Sequence, residues 1–231
     1  MDPTIEGRAS FPPTAWTLLA GIAGGGSGRA RAIADVGKRY WTPVYVYLRR
    51  KGRTTEDASD LVQSFFVHLI EKDLLTRPDR SKGRFRSWLR AVLEHFLANE
   101  ARIRGAQKKG RGKKIIPLDF EVAEQAVRAG GDLGAADAFD RAWAHEVLSR
   151  AFARLSKEME AAGKQPVLAT LKKRMGLVSS VEGPEANDVA VHRARKRLRA
   201  LILEEVGDSV KDPSDATEEV AELFRALGGN A

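Results

Sequence analysis

Apolar positions recur at three-and-four spacing along most of the chain, the mark of amphipathic helices rather than strands. Ala32, Ile33, Val36, Tyr40, Val44, Tyr47 and Leu48 trace a first stripe, within which Pro43 marks a kink or a fresh helix start. Ahead of it, a short apolar segment over 16–23 is broken by Gly24-Gly25-Gly26-Ser27-Gly28, which reads as a flexible joint. Thr54-Thr55-Glu56-Asp57 offers a hydroxyl cap followed by carboxylates that suit the positive end of a helix. Ala58, Leu61, Val62, Phe65, Phe66, Leu69 and Ile70 form the buried stripe of that helix. A turn around Pro78 then leads into a helix over 85–107, with Leu89, Val92, Leu93, Phe96 and Leu97 inward and Arg84, Arg86, Arg90, Arg102 and Arg104 at its edges.

The pattern weakens between 105 and 137, where glycines and Pro117 replace it, and 115–138 is expected to be a flexible linker. Periodicity returns over 139–162 with Trp143, Val147, Leu148, Ala151, Phe152 and Leu155, and Gly163 stops the helix. Pro166 starts a shorter helix ending near Gly176, and Pro184-Glu185-Ala186 reads as the first turn of a helix reaching Val206. A small acidic helix over 215–227 closes the sequence. The expected fold is all-α: two small helical domains, 29–114 and 139–207, joined by the linker and flanked by extensions at 1–28 and 208–231.

Charge sharpens this picture. Of a formal net charge of +8 over 231 residues, the stretch 80–114 alone holds twelve basic residues against Glu94 and Glu100, so the rest of the chain is slightly acidic. One concentrated basic patch points to a polyanionic partner. There is no cysteine, and the four histidines (His68, His95, His145, His192) have no ligand spacing, so neither a metal nor another cofactor is expected. No basic start leads into an apolar run and no segment is apolar for long enough to cross a bilayer, hence a cytoplasmic protein without a membrane partner is expected. The tight acidic group Glu56, Asp57, Asp60 has no histidine or lysine cluster beside it in sequence, and an enzyme is not expected.

Two constellations carry the functional reading. The run 56–66, Glu-Asp-Ala-Ser-Asp-Leu-Val-Gln-Ser-Phe-Phe, is followed by Gly83-Arg84-Phe85-Arg86-Ser87-Trp88-Leu89-Arg90. Helical spacing sets Asp57, Asp60 and either Gln63 or Ser64 along one side. Phe85 and Trp88 sit three apart at a helix start, and either stack on unpaired bases or belong to the core. The run 189–199, with five Lys/Arg among its residues 192–199, makes a basic amphipathic helix suited to DNA, to a membrane surface or to a partner helix.

In this order and spacing, the first pair of motifs resembles the second conserved region of bacterial RNA polymerase sigma factors. The 189–199 run resembles the recognition helix of their fourth region, and the whole is similar to the sigma-70 family's short extracytoplasmic-function type. Phe11-Pro12-Pro13-Thr14-Ala15-Trp16 and the acidic C-terminal helix resemble extensions in a divergent branch of it. The resemblance implies that Asp57, Asp60, Leu61, Gln63 and Phe66 bind the polymerase core. It implies that Arg84, Phe85, Trp88, His95, Asn99, Arg102, Arg104, Lys108 and Lys109 bind the opened minus-ten element. It assigns Asn187, Asp188, His192, Arg193, Lys196 and Arg197 to a helix-turn-helix reading the minus-35 element, with Glu185 near the base edges. The partners implied are RNA polymerase core and promoter DNA, with room for an anti-sigma factor. The sequence departs from the family before the last helix, where 177–182 (Leu-Val-Ser-Ser-Val-Glu) stands in place of a helix. Either the helix starting at Pro166 takes the first position of the motif, or minus-35 reading is weakened. A stand-alone helix-turn-helix regulator or another nucleic-acid-binding adaptor would use the same basic helices without needing the acidic one.

Overall fold

The computed structural model describes residues 15–24, 28–79, 83–104, 120–180, 183, 185–207 and 213–228. The regular structure among these residues is helical, with no strand among them. In chain order the helices are α1 (Ala15–Ala23), α2 (Gly28–Arg50), α3 (Thr55–Glu71), α4 (Phe85–Arg104), α5 (Phe120–Ala129), α6 (Ala135–Ala161), α7 (Gln165–Arg174), α8 (Asp188–Gly207) and α9 (Pro213–Ala226).

Two long helices organise the rest. α2 runs unbroken through Pro43, and every residue from 41 to 48 is buried. A helix buried on all sides needs neighbours all round, and α1, α3, α5 and α6 supply them. α6 in turn packs against α2, α7, α8 and α9. Leu18, Val36, Tyr40, Leu61, Phe65, Leu89, Phe139, Trp143, Leu155, Leu171, Leu198 and Leu223 therefore belong to one contiguous apolar cluster that draws on α1–α4 and α6–α9 alike.

Local chemistry explains where the helices begin and end. Thr54 is extended (φ −64°, ψ 168°) and its side chain accepts from the Asp57 N–H at 3.1 Å, an N-cap as the sequence suggests. After α3, Asp73 adopts a left-handed conformation (φ 50°), which aspartate tolerates, and accepts from Arg29 at 2.5 Å. Gly176 (φ 71°) closes α7, with the Leu177 N–H reaching the Lys172 carbonyl at 2.9 Å.

The expected linker contains a helix. α5 lies against the second half of α2 through fully buried Ala123; the Tyr45 hydroxyl donates to Glu124 at 2.5 Å, and Arg49 pairs with the same carboxylate at 3.0 Å. Burial first, and then the neighbouring carboxylate, push the Tyr45 phenol up to about 12, so it stays a donor at neutral pH. α6 starts at Ala135, ahead of the expected Phe139, with Gly134 in the cap position. α8 starts at Asp188 rather than at Pro184, which lies outside the described residues along with 105–119.

Candidate nucleic-acid interface

Three helical surfaces carry the residues singled out by sequence. On α3, Asp57 and Asp60 are exposed together with Glu56 and Ser64, whereas Leu61 and Phe66 are in the core and Gln63 is only 8% exposed. At 100° per residue Ser64 falls closer to the Asp57–Asp60 arc than Gln63 does, so the outward face is acidic with Ser64, not Gln63, continuing it.

α4 is divided along its length. At its start Phe85 is fully buried: its ring meets Tyr40 edge-on at 5.1 Å and stacks on Trp88 at 5.4 Å. Of the two readings of Phe85, base contact or core, its burial accords with the core, and in this conformation its ring is shielded from any nucleic acid. Trp88 is partly buried beside it. Further along, His95, Asn99 and Arg102 share the exposed face, and Arg102 donates to the Asn99 side chain at 3.4 Å. Arg104 ends the helix; Lys108 and Lys109 lie outside the described residues.

The arginines at the start of α4 have partners far away in sequence. The Arg84 Nε bonds Glu219 at 2.8 Å and its Nη1 bonds Glu222, both on α9. Arg86, passed over as a site residue in the sequence reading, sits at the centre. It is 7% exposed, pairs with Glu219 at 2.7 Å, Glu222 at 2.5 Å and Asp140 at 2.5 Å, and lies over the Trp143 ring at 4.6 Å. Burial pulls this guanidinium down, but the bonds and charges of Glu219 and Asp140 outweigh it and hold it above the ordinary arginine value. Arg90 shares Asp140 at 3.2 Å.

On α8, His192, Arg193, Arg195, Lys196 and Arg199 are exposed, and among the described residues the four cations make no ion pair. The remaining residues assigned to this surface are engaged. The Asn187 side chain caps the helix by accepting from the Ala190 N–H at 2.9 Å, Asp188 pairs with Arg174 of α7 at 2.7 Å, and Glu185 pairs with Lys173. Arg197 is held by Glu158 at 2.7 Å and Glu204 at 3.0 Å. α7 does pack on α8, pinned where buried Thr170 accepts from the Ala186 N–H at 2.9 Å. Residues 175–187 lie between the two helices, a longer connection than the three or four residues of a compact helix-turn-helix.

Two of these ion pairs predict an acid response. The Arg84 hydrogen bond holds the Glu222 carboxyl below its ordinary value, and the Arg197 hydrogen bond does the same to Glu158. Each pair stabilises the fold fully above the ordinary glutamate value of 4.5, and that stabilisation is lost as pH falls through the lowered folded value. Urea midpoints followed by circular dichroism are expected to hold between about pH 7 and 5 and to drop below about pH 4.5, with a shallower drop in Glu222→Gln.

No group of three His, Asp or Glu side chains suited to a metal occurs among the described residues, and no described helix is long and apolar enough to cross a membrane. Compared with protein-family models, curated proteins and solved structures, the chain matches none of them.

Proposed function

We propose that the chain is a sigma factor that binds RNA polymerase core and directs promoter recognition, minus-ten melting and transcription initiation. The observation that carries this reading is the outward acidic arc of α3, Glu56, Asp57 and Asp60, standing exposed on a helix whose other side is fixed in the core by Leu61, Val62, Phe65 and Phe66. A DNA-binding protein acting alone does not need such an arc, whereas arginines of a protein partner can pair with it. The exposed half of α4, with His95, Asn99 and Arg102, supplies polar and cationic groups for a displaced strand, and the cationic face of α8 supplies phosphate contacts for upstream duplex.

In this reading 29–114 and 139–207 act as two units with 115–138 between them, and promoter selection comes from joining two modest contacts in one chain. α6 packs on α2 across the two units, so they act from one joined body. Reconstituted transcription on genomic fragments tests the proposal: core plus this chain is expected to start specific transcripts that neither gives alone, and a signal at core background refutes it.

A sharper prediction concerns the acidic arc. Asp57→Ala with Asp60→Ala is expected to weaken core binding about tenfold or more, equivalent to roughly 1.4 kcal/mol. Binding to free DNA should be unchanged. If core binding holds while DNA binding falls, the stand-alone regulator or adaptor becomes the better reading.

A further inference from the structure

We propose that α9 is a built-in competitor for nucleic acid, its carboxylates occupying the phosphate-binding edge of α4 until DNA displaces them. This rests on the reading of α4 as a nucleic-acid-binding helix and adds to it a regulator within the same chain.

The pairing is specific in a way that a solvated acidic helix is not. α9 presents Glu219 and Glu222 one turn apart, and both reach the guanidiniums of Arg84 and Arg86, which flank Phe85 at the start of α4. Two carboxylates spanning two arginines reproduce what consecutive phosphates of a strand would offer, paired anionic oxygens that accept from forked donors. Asp140 of α6 completes the screen by holding Arg86 and Arg90. All three arginines of this end are thus neutralised, while Arg102 at the other end is exposed and, among the described residues, makes only a long bond to Asn99. The helix meant to meet a polyanion is shielded over one half and open over the other.

The shield is graded. Glu219 has no exposed side-chain surface, but Glu222 and Arg84 keep 26% and 25%, so the outer pair can exchange with solvent or phosphate while the inner one holds. Val220 and Leu223 beneath them bury apolar surface, which seats α9 on α6 and α8 and returns it after release. An incoming strand first contacts exposed Arg102, then competes for Arg84, and gains Arg86 only when α9 lifts.

The test uses the full chain and a labelled single-stranded oligonucleotide of mixed sequence, with affinity followed by fluorescence anisotropy across a series of KCl concentrations. Glu222→Gln is expected to bind about three- to tenfold tighter at about 0.1 M salt, and to steepen the dependence of log K on log salt by about 0.7 for each arginine released. Adding Arg84→Gln should cancel both gains. A merely structural Glu222 would change the unfolding midpoint and leave the salt slope alone, and that result in a folded variant overturns the proposal. Should Glu222→Gln lose its helical signal, Glu222→Ala, which removes the charge and favours the helix, takes its place with the same expected slope. If Arg102→Gln weakens binding while no Glu222 variant alters the slope, α9 is not a competitor although α4 binds nucleic acid. If the wild-type chain and every variant leave the oligonucleotide free, both the competitor and the reading beneath it fail.

Discussion

Glu205→Ala is expected to cost about 3–5 kcal/mol of stability and to lower the melting temperature by roughly 10 °C. Glu205, on α8, has 3% of its side chain exposed and is bonded by Arg39 of α2 at 3.2 Å and by Arg150 and Arg154 of α6 at 3.0 and 3.3 Å. Burying one carboxylate among three guanidiniums gains little over an apolar contact of equal volume, because Glu205 and Arg39 have left water almost completely and Arg150 and Arg154 in large part. Removing that carboxylate is another matter, since three guanidiniums lose the acceptor they share, with Glu146 at 3.6 Å left to Arg150 and Glu204 at 2.5 Å left to Arg154. Arg39, only 12% exposed, is already held below the ordinary arginine value by burial and by repulsion from Arg150, which Glu205 opposes. Glu205→Gln keeps shape and one acceptor, and should recover part of the loss. Urea unfolding by tryptophan fluorescence measures both variants; a change within about 0.5 kcal/mol would show that Glu205 is not the keystone of this cluster.

The second large effect separates folding from recognition at one position. Phe85→Ala is expected to destabilise by about 3–5 kcal/mol, the range for emptying a packed aromatic site. Phe85 has no exposed surface and is wedged between Tyr40 and Trp88. Any fall in DNA binding should therefore track the fraction unfolded, and lowering the temperature should restore it. A fully stable Phe85→Ala protein with lost DNA binding would instead mean that the ring leaves the core to meet a base. His95 and Asn99, exposed one turn apart, offer the contrast: their replacement by alanine should leave stability within about 0.5 kcal/mol.

Much of the helical order was legible in the chain. The Thr54 cap, the stripes of α3 and α4 and the apolar side of α6 follow from three-and-four spacing, a local rule that local sequence obeys. The same rule, applied strictly, places Phe85 inward, since 85, 89 and 93 follow at intervals of four and 96 completes the face, all buried. What escaped was set by neighbours rather than by spacing. α5 hid among glycines because a ten-residue helix is marginal without α2 to lie on. α2 continues through Pro43 because the surrounding helices bury 41–48 on every side and hold the turn that proline alone would break. The charge partners of Arg84, Arg86 and Glu205 lie on other helices far along the chain, where no window of sequence relates them. The acidic arc of α3 was readable in outline, and one ambiguity in it, Gln63 against Ser64, was a difference of 100° that only the packed helix decides.

The burial of α2 on every side also bears on how the chain is made. Positions 41–48 emerge from the ribosome carrying Trp41, Val44, Tyr45, Val46, Tyr47 and Leu48, all destined for the interior. Part of their cover, Ala138 and Ala142 over Val46 and Phe139 against Tyr47, is encoded some ninety residues later. At about 5–20 residues per second, translation leaves that surface uncovered for on the order of ten seconds. During this interval the nascent helix has α1 and α3 but not α5 or α6, and slow codons between 105 and 135 would lengthen the exposure.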